Sequence, residues 1–180
     1  MTKKTKLYTI GSSKKTVKEF FTLLEKNKIT KIVDVRLHNN SQLSGFAKSE
    51  ILEYIIEILN HCKNWNIKYQ YMPQLAPTEE LLRKWRNREI NWKTYEKCFF
   101  NIIKQRNLKA IGFIDKVIRE GENVCLLCAE DSPDKCHRRL LAEFFKQVCK
   151  KPEIEIIHLK SEDLLPKEFK TANKYKRRFH

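Results

Sequence analysis

The sequence is poor in glycine, proline and acid. Four glycines and five prolines among 180 residues exclude collagen-like, elastic and low-complexity architectures. No apolar stretch approaches the roughly 20 residues of a membrane span. The opening MTKKTKLYTIG lacks the long apolar region of a secretory signal. The expected setting is therefore the cytoplasm, with no membrane partner. Glycine-rich phosphate loops are missing too. Without GxGxxG or GxxxxGK(S/T), a standard dinucleotide or P-loop site is disfavoured.

What is present is enough for one folded domain. A hydrophobic share of 41% with 33% charged residues is that of a globular chain with a core. The six cysteines are read as thiols, because no secretion signal accompanies them. Acids number 22 against 37 lysines and arginines, a formal charge of +15. Such an excess favours polyanionic partners, nucleic acid or nucleotide first. An AT-rich genome, which enriches lysine, asparagine and isoleucine, produces the same bias without a partner. At the C-terminus, KTANKYKRRFH interleaves basic and aromatic residues, a pattern suited to a phosphate backbone or to a solvated tail.

Periodicity gives the elements. Leu7–Ile10 is a short apolar run ending at Gly11, a strand and turn. TVKE at 16–19 reads as a capping box, followed by Val17, Phe20, Phe21 and Leu24 at helical spacing. KIVDVR at 31–36 is β-branched and short, hence a strand. Residues 37–47 form a loop, and Ser49 opens a helix carrying Leu52, Ile55, Ile56 and Leu59. IKYQYM at 67–72 alternates as a strand. The segment 78–106 gives two helices broken near Asn91, read as a helical insertion or lid. Residues 108–120 suggest another helix, NVCLLC at 123–128 a buried strand, 133–150 a helix and EIEIIHL a last strand. Alternating strands and helices imply an α/β, three-layer, Rossmann-like fold. Its sheet is mostly parallel, of about five strands with helices on both faces, and the first strand is central, beside the fourth. The domain spans 1–160, with a basic tail at 161–180. In such folds ligands sit beyond the carboxyl ends of the strands, where Gly11, Ser12, Ser13, Asp34, Arg36, Cys128 and Glu130 fall.

LLCAEDSPDKCHRR at 126–139 concentrates the chemistry. Cys125, Cys128, Cys136 and His137 make a nominal four-ligand metal set. Strand alternation, however, sends residues three apart to opposite faces, so Cys125 belongs to the core and no metal ligands are assigned. Ser132 then Pro133 reads as an N-cap followed by N1 proline. Cys136, His137, Arg138 and Arg139 would then lie near a helix N-terminus, where basic residues oppose the dipole unless an anion is bound. The competing reading is that the arginines merely pair with Glu130, Asp131 or Asp34. Cys128, at the strand end, is the candidate nucleophile. His137, Glu130 and Asp34 are candidate acid–base or orienting groups.

Together YTIGSS at 8–13, VDVR at 33–36, SQLSGF at 41–46, LAPT at 75–78 and CAEDSPDKCHRRLLAE at 128–143 resemble the domain-of-unknown-function family number 488. The resemblance spans about 7–159. It implies an α/β fold and a site built from Asp34, Arg36, Cys128, Glu130, Cys136, His137 and Arg138. Many members have histidine where this chain has Ser12; His38 or His137 is the candidate substitute. A fainter analogy, to the rhodanese and cysteine-phosphatase plan, is weakened by the longer acidic, proline-containing loop after Cys128.

The reading that follows is an enzyme-like domain binding a phosphorylated or nucleic-acid ligand. Cys128, His137, Glu130 and Asp34 would serve catalysis; Gly11, Ser12, Ser13, Arg36, Cys136, Arg138 and Arg139 would bind the ligand. A cysteine-dependent transferase or hydrolase is the corresponding activity, with no cofactor specified. Two rivals stand beside it: a non-catalytic nucleic-acid-binding protein using the 78–106 helices and the tail, and a structural or metal-binding cysteine cluster.

Overall fold

A computed structural model of the chain describes residues 5–40, 45–107, 118, 122–149 and 153–165. Five strands form one parallel sheet: β1 (Thr5–Gly11), β2 (Lys31–Asp34), β3 (Lys68–Tyr71), β4 (Val124–Cys128) and β5 (Ile154–Leu159). Their order is β3-β2-β4-β1-β5. Helices α1 (Val17–Lys26), α2 (Ser49–Lys63), α3 (Glu79–Arg86), α4 (Trp92–Gln105) and α5 (His137–Val148) are the described α-helices. The expected three-layer, Rossmann-like α/β fold is observed with β1 beside β4, but the middle strand is β4 rather than β1, which has the edge strand β5 on its other side.

The middle strand shows why the layers form. All five residues of VCLLC are buried, as a parallel strand covered on both faces requires. Val124 and Leu126 join Tyr95, Phe99 and Ile103 of α4 and Leu140, Leu141 and Phe145 of α5 in one core cluster. Cys125 and Leu127 join Phe20 and Leu24 of α1 and Leu52 and Ile56 of α2 in the other. Helices α3 and α4 are therefore built into the core, through Leu81, Tyr95, Phe99 and Ile103.

Local signals act where the sequence places them. Thr16 and Glu19 form the capping box of α1. Thr78 caps α3 and Asn91 caps α4 through their side chains. Most boundaries shift by only one or two residues, and two of the differences bear on the site. Strand β2 stops at Asp34, because Arg36 turns back onto that residue. The helix expected from 133 begins at His137, with Cys136 as a cap that makes no side-chain cap bond. Ser132 is spent on a local turn: its Oγ accepts from the Asp134 N–H at 3.2 Å and donates to the Asp134 carboxylate at 2.9 Å. A backbone bond from Cys136 N–H to the Pro133 carbonyl closes the next turn. Serine and proline thus make a turn before the helix rather than its first residues.

Residues 161–164, assigned to the tail, form a short 3-10 helix, and Leu164 packs on the α1 side. The helix expected at 108–120, apart from Ile118, and the tail beyond 165 lie outside the described residues.

Candidate functional site

The carboxyl ends of β1, β4 and β2 lie side by side, since Gly11 is in register with Cys128 and Asp34 with Leu127. The chain leaving β4 crosses directly over the end of β1. A Cβ on Gly11 would lie 1.8 Å from the Glu130 carbonyl oxygen, so only glycine admits this crossing. The N–H groups of Ser12 and Ser13 donate to the carbonyls of Cys128 and Ala129 at 3.0 and 2.9 Å. They hold the loop rather than face a ligand. Lys15, its side chain fully buried, adds an ion pair to Asp131 at 2.5 Å.

The loop so held returns to the sheet at Cys136 and brings four side chains together. Cys128 Sγ lies 2.5 Å from Glu130 Oε2 and 3.7 and 3.6 Å from Nδ1 and Nε2 of His137. Cys136 Sγ is 3.2 Å from the same Glu130 oxygen. Cys128, Cys136 and His137 are buried; Glu130 is a surface residue whose carboxylate turns inward. His137 Nε2 donates to the Val35 carbonyl at 2.9 Å, because a carbonyl can only accept. In a neutral ring this bond leaves the lone pair on Nδ1. Cys125 is elsewhere, fully buried in the α1–α2 core, as alternation along β4 requires.

The electrostatics of this group oppose each other. Burial pushes the Cys136 thiol up, reinforced by its hydrogen bond with Cys128. For Glu130, burial also works upward, but His137 and the hydrogen bonds from both thiols outweigh it and hold the carboxyl below its ordinary value. One carboxylate thus accepts from two sulfurs. Tyr95 closes the floor. Burial raises its phenol, followed by the proximity of Cys128, Cys136 and Glu130, and its ring stacks on Phe99, which packs against His137.

The arginines are engaged within the fold. Arg138 is 1% exposed. Its Nη1 donates to the Glu130 carbonyl at 2.5 Å and to Cys136 Sγ at 3.2 Å, its Nη2 to the Asp131 carbonyl at 2.7 Å. Its Nε is buried without a partner among the described residues. Arg36 pairs with Asp34. Arg139 lies apart, bonded to Glu143 of its own helix and Glu96 of α4, with its guanidinium over Trp92. His38 is also remote, an exposed partner of Glu79.

Of the residues selected from sequence, Cys128, Glu130, Cys136, His137 and Arg138 come together, and Gly11, Ser12 and Ser13 carry the loop over them. Asp34 and Arg36 adjoin through Val35 but face each other. Two participants carried no sequence signal: the Val35 carbonyl, which is backbone, and the Tyr69 hydroxyl on Asp34 at 2.6 Å. Tyr69 sits at alternate spacing with Tyr71 on β3, which marks a shared face but not a target.

A family model described as the domain of unknown function DUF488 matches residues 16–145. No curated protein and no solved structure matches the chain. With most of its length covered by that model, the chain belongs to the DUF488 family.

Proposed function

We propose that this member of the DUF488 family binds nucleic acid, with its principal contact on the α3–α4 hairpin rather than at the strand ends. The observation that supports this is how the hairpin's charges are distributed. Three of its four acids are in ion pairs, Glu80 with Lys84, Glu89 with Arg83 and Glu96 with Arg139, and the fourth, Glu79, is hydrogen-bonded to His38. Arg86 and Arg88 at the end of α3, and Lys93 and Lys97 one turn apart on α4, are exposed and have no ion pair among the described residues. Acids that would neutralise them locally are already occupied. The net +15 of the chain adds long-range attraction.

The strand-end arginines argue for this relocation. Arg36 and Arg138 already carry internal bonds, so a phosphate there would have to displace them. A lipid surface suits the hairpin less well than nucleic acid. The exposed large apolar residues Val17, Ile51, Tyr54, Ile58, Tyr71 and Leu165 all lie off it, leaving nothing to insert into a bilayer. In this reading the basic tail beyond 165 extends the footprint. An enzymatic version, a cysteine-dependent transferase or hydrolase acting on the bound ligand, draws support from the contacts of Cys128 with His137 and Glu130.

The test is anisotropy of labelled single- and double-stranded oligonucleotides across salt concentration. Binding should weaken linearly in log–log form, with a slope near −0.9 per neutralised phosphate on duplex DNA. Reversing Arg86, Arg88, Lys93 and Lys97 to glutamate should flatten that slope by about 3 to 4. A slope unchanged in this variant, or no binding at low salt, would overturn the proposal.

A further inference from the structure

We propose that Cys128, Glu130, Cys136 and His137 bind one divalent, thiophilic metal ion of the zinc class. This goes beyond the hairpin reading and does not depend on it. One donor atom from each residue lies within 4.8 Å of all the others. Ligands at about 2.0–2.3 Å from a tetrahedral ion stand about 3.4–3.8 Å apart. Cys128 Sγ to His137 Nδ1, at 3.7 Å, matches such an edge, and Cys136 Sγ to Glu130 Oε2, at 3.2 Å, is near it. The 2.5 Å between Cys128 Sγ and Glu130 Oε2 is too short for two ligands of one ion. An incoming ion would move the carboxylate outward by about 1 Å, which a surface residue permits. The set is not the one suggested by the CLLC spacing. Cys125 points away, and Glu130 takes the fourth place.

Two further features suit a metal. The Val35 carbonyl fixes Nε2 of His137 as the protonated nitrogen and leaves Nδ1 for coordination. Ligating histidines are usually oriented by such a bond. The second feature is charge. Arg138 is buried and permanently charged, yet among the described residues its bonds go to two neutral carbonyls and to Cys136 sulfur. A buried charge needs a counterion nearby. Two thiolates, one carboxylate and a neutral imidazole carry three negative charges. A divalent ion reduces this to one, and Arg138 brings the assembly to neutrality. Without an ion, neutrality is reached if both thiols keep their protons and Glu130 alone is ionised. Metal binding is thus an exchange: the ion enters and two thiol protons leave to solvent.

The experiment uses the full-length chain, kept reduced with a phosphine and stripped with a chelator, then titrated with zinc or cobalt(II). The proposal expects one equivalent bound, up to two protons released, and for cobalt a thiolate charge-transfer band with intense tetrahedral visible bands. Bound metal should protect Cys128 and Cys136 from alkylation, while exposed Cys62 reacts throughout. Glu130→Gln keeps the shape of the inward-turned side chain and removes its charge; it should retain the fold by circular dichroism and weaken binding tenfold or more. Cys136→Ser should lose stoichiometric binding; should it unfold by circular dichroism, the Glu130→Gln titration decides. No bound metal in the folded protein, or equal binding by wild type and Glu130→Gln, would overturn the proposal, as would binding lost in Cys62→Ser instead.

Discussion

Arg36 folds back on the residue two places before it. Its Nε meets Asp34 Oδ1 at 2.8 Å, its backbone N–H reaches the same oxygen at 3.1 Å, and its Nη2 meets Oδ2 at 2.5 Å. Tyr69 adds its hydroxyl to Oδ2. Asp34 is fully buried and Arg36 nearly so, so the carboxylate is consumed by four donors and is not a free base. Asp34→Ala strands the guanidinium and should cost about 3–5 kcal/mol, the usual penalty for breaking a buried pair. Tyr69→Phe removes one donor to a charged acceptor and should cost about 1.5 kcal/mol. Urea unfolding of the two variants checks both values. Equal, small losses would mean the network contributes little and Asp34 is available for chemistry.

The close approach at Gly11 gives a second prediction. The atom a Cβ would meet is backbone, the Glu130 carbonyl, and so cannot swing aside as a side-chain end can. Gly11→Ala should therefore displace the loop that carries Glu130 and loosen the Arg138 bonds to its carbonyls. A loss of about 1–3 kcal/mol is expected for such overpacking, together with faster alkylation of Cys128. Wild-type stability and thiol reactivity in this variant would contradict the crossing.

Arg139 distinguishes a clamp from a ligand contact. It spans Glu143 and Glu96, tying α5 to α4, and covers Trp92. These pairs are partly exposed, so Arg139→Met should cost only about 1 kcal/mol. Nucleic-acid affinity should stay unchanged, because Arg139 is already neutralised by two acids. A fall in affinity with the salt slope reduced by one would instead place Arg139 on the ligand.

The fold was legible where single residues act locally. The short apolar run VCLLC reads as a buried strand, TVKE marks a helix start that the backbone uses, and the break read near Asn91 is where that residue caps the next helix. The site was legible in part, for a physical reason. Cys128, Cys136 and His137 are near in sequence, so a turn suffices to join them. That Glu130 would turn inward, rather than stay solvated, depends on two buried thiols donating to it. SPDK misled because serine before proline suits both a helix cap and a tight turn. Asp134, within reach of the Ser132 hydroxyl, tips it to the turn. Arg36 and Arg138 could not be resolved from sequence, since a guanidinium fork fits a phosphate, a carboxylate or two carbonyls equally well.

The last prediction concerns alkaline pH. Burial raises the Cys125 and Cys136 thiols. It also raises the phenols of Tyr8, Tyr69 and Tyr95. In the unfolded chain the thiols lose protons near 9.0 and the phenols near 10.0; in the folded, metal-free chain they keep them. The native state then binds more protons, so stability falls as pH rises. It should be full below about pH 9 and decline above it, by at most about 1.4 kcal/mol per pH unit for each group that remains protonated. Urea midpoints from pH 7 to 10.5 give the slope. Mass-mapped alkylation over the same range identifies the thiols responsible. Exposed Cys62 should react first and Cys125 last, at the rate of global unfolding. Cys125→Ala should remove one group's share of the slope, and a stability profile flat to pH 10.5 would show that the buried thiols and phenols are not held protonated by the fold.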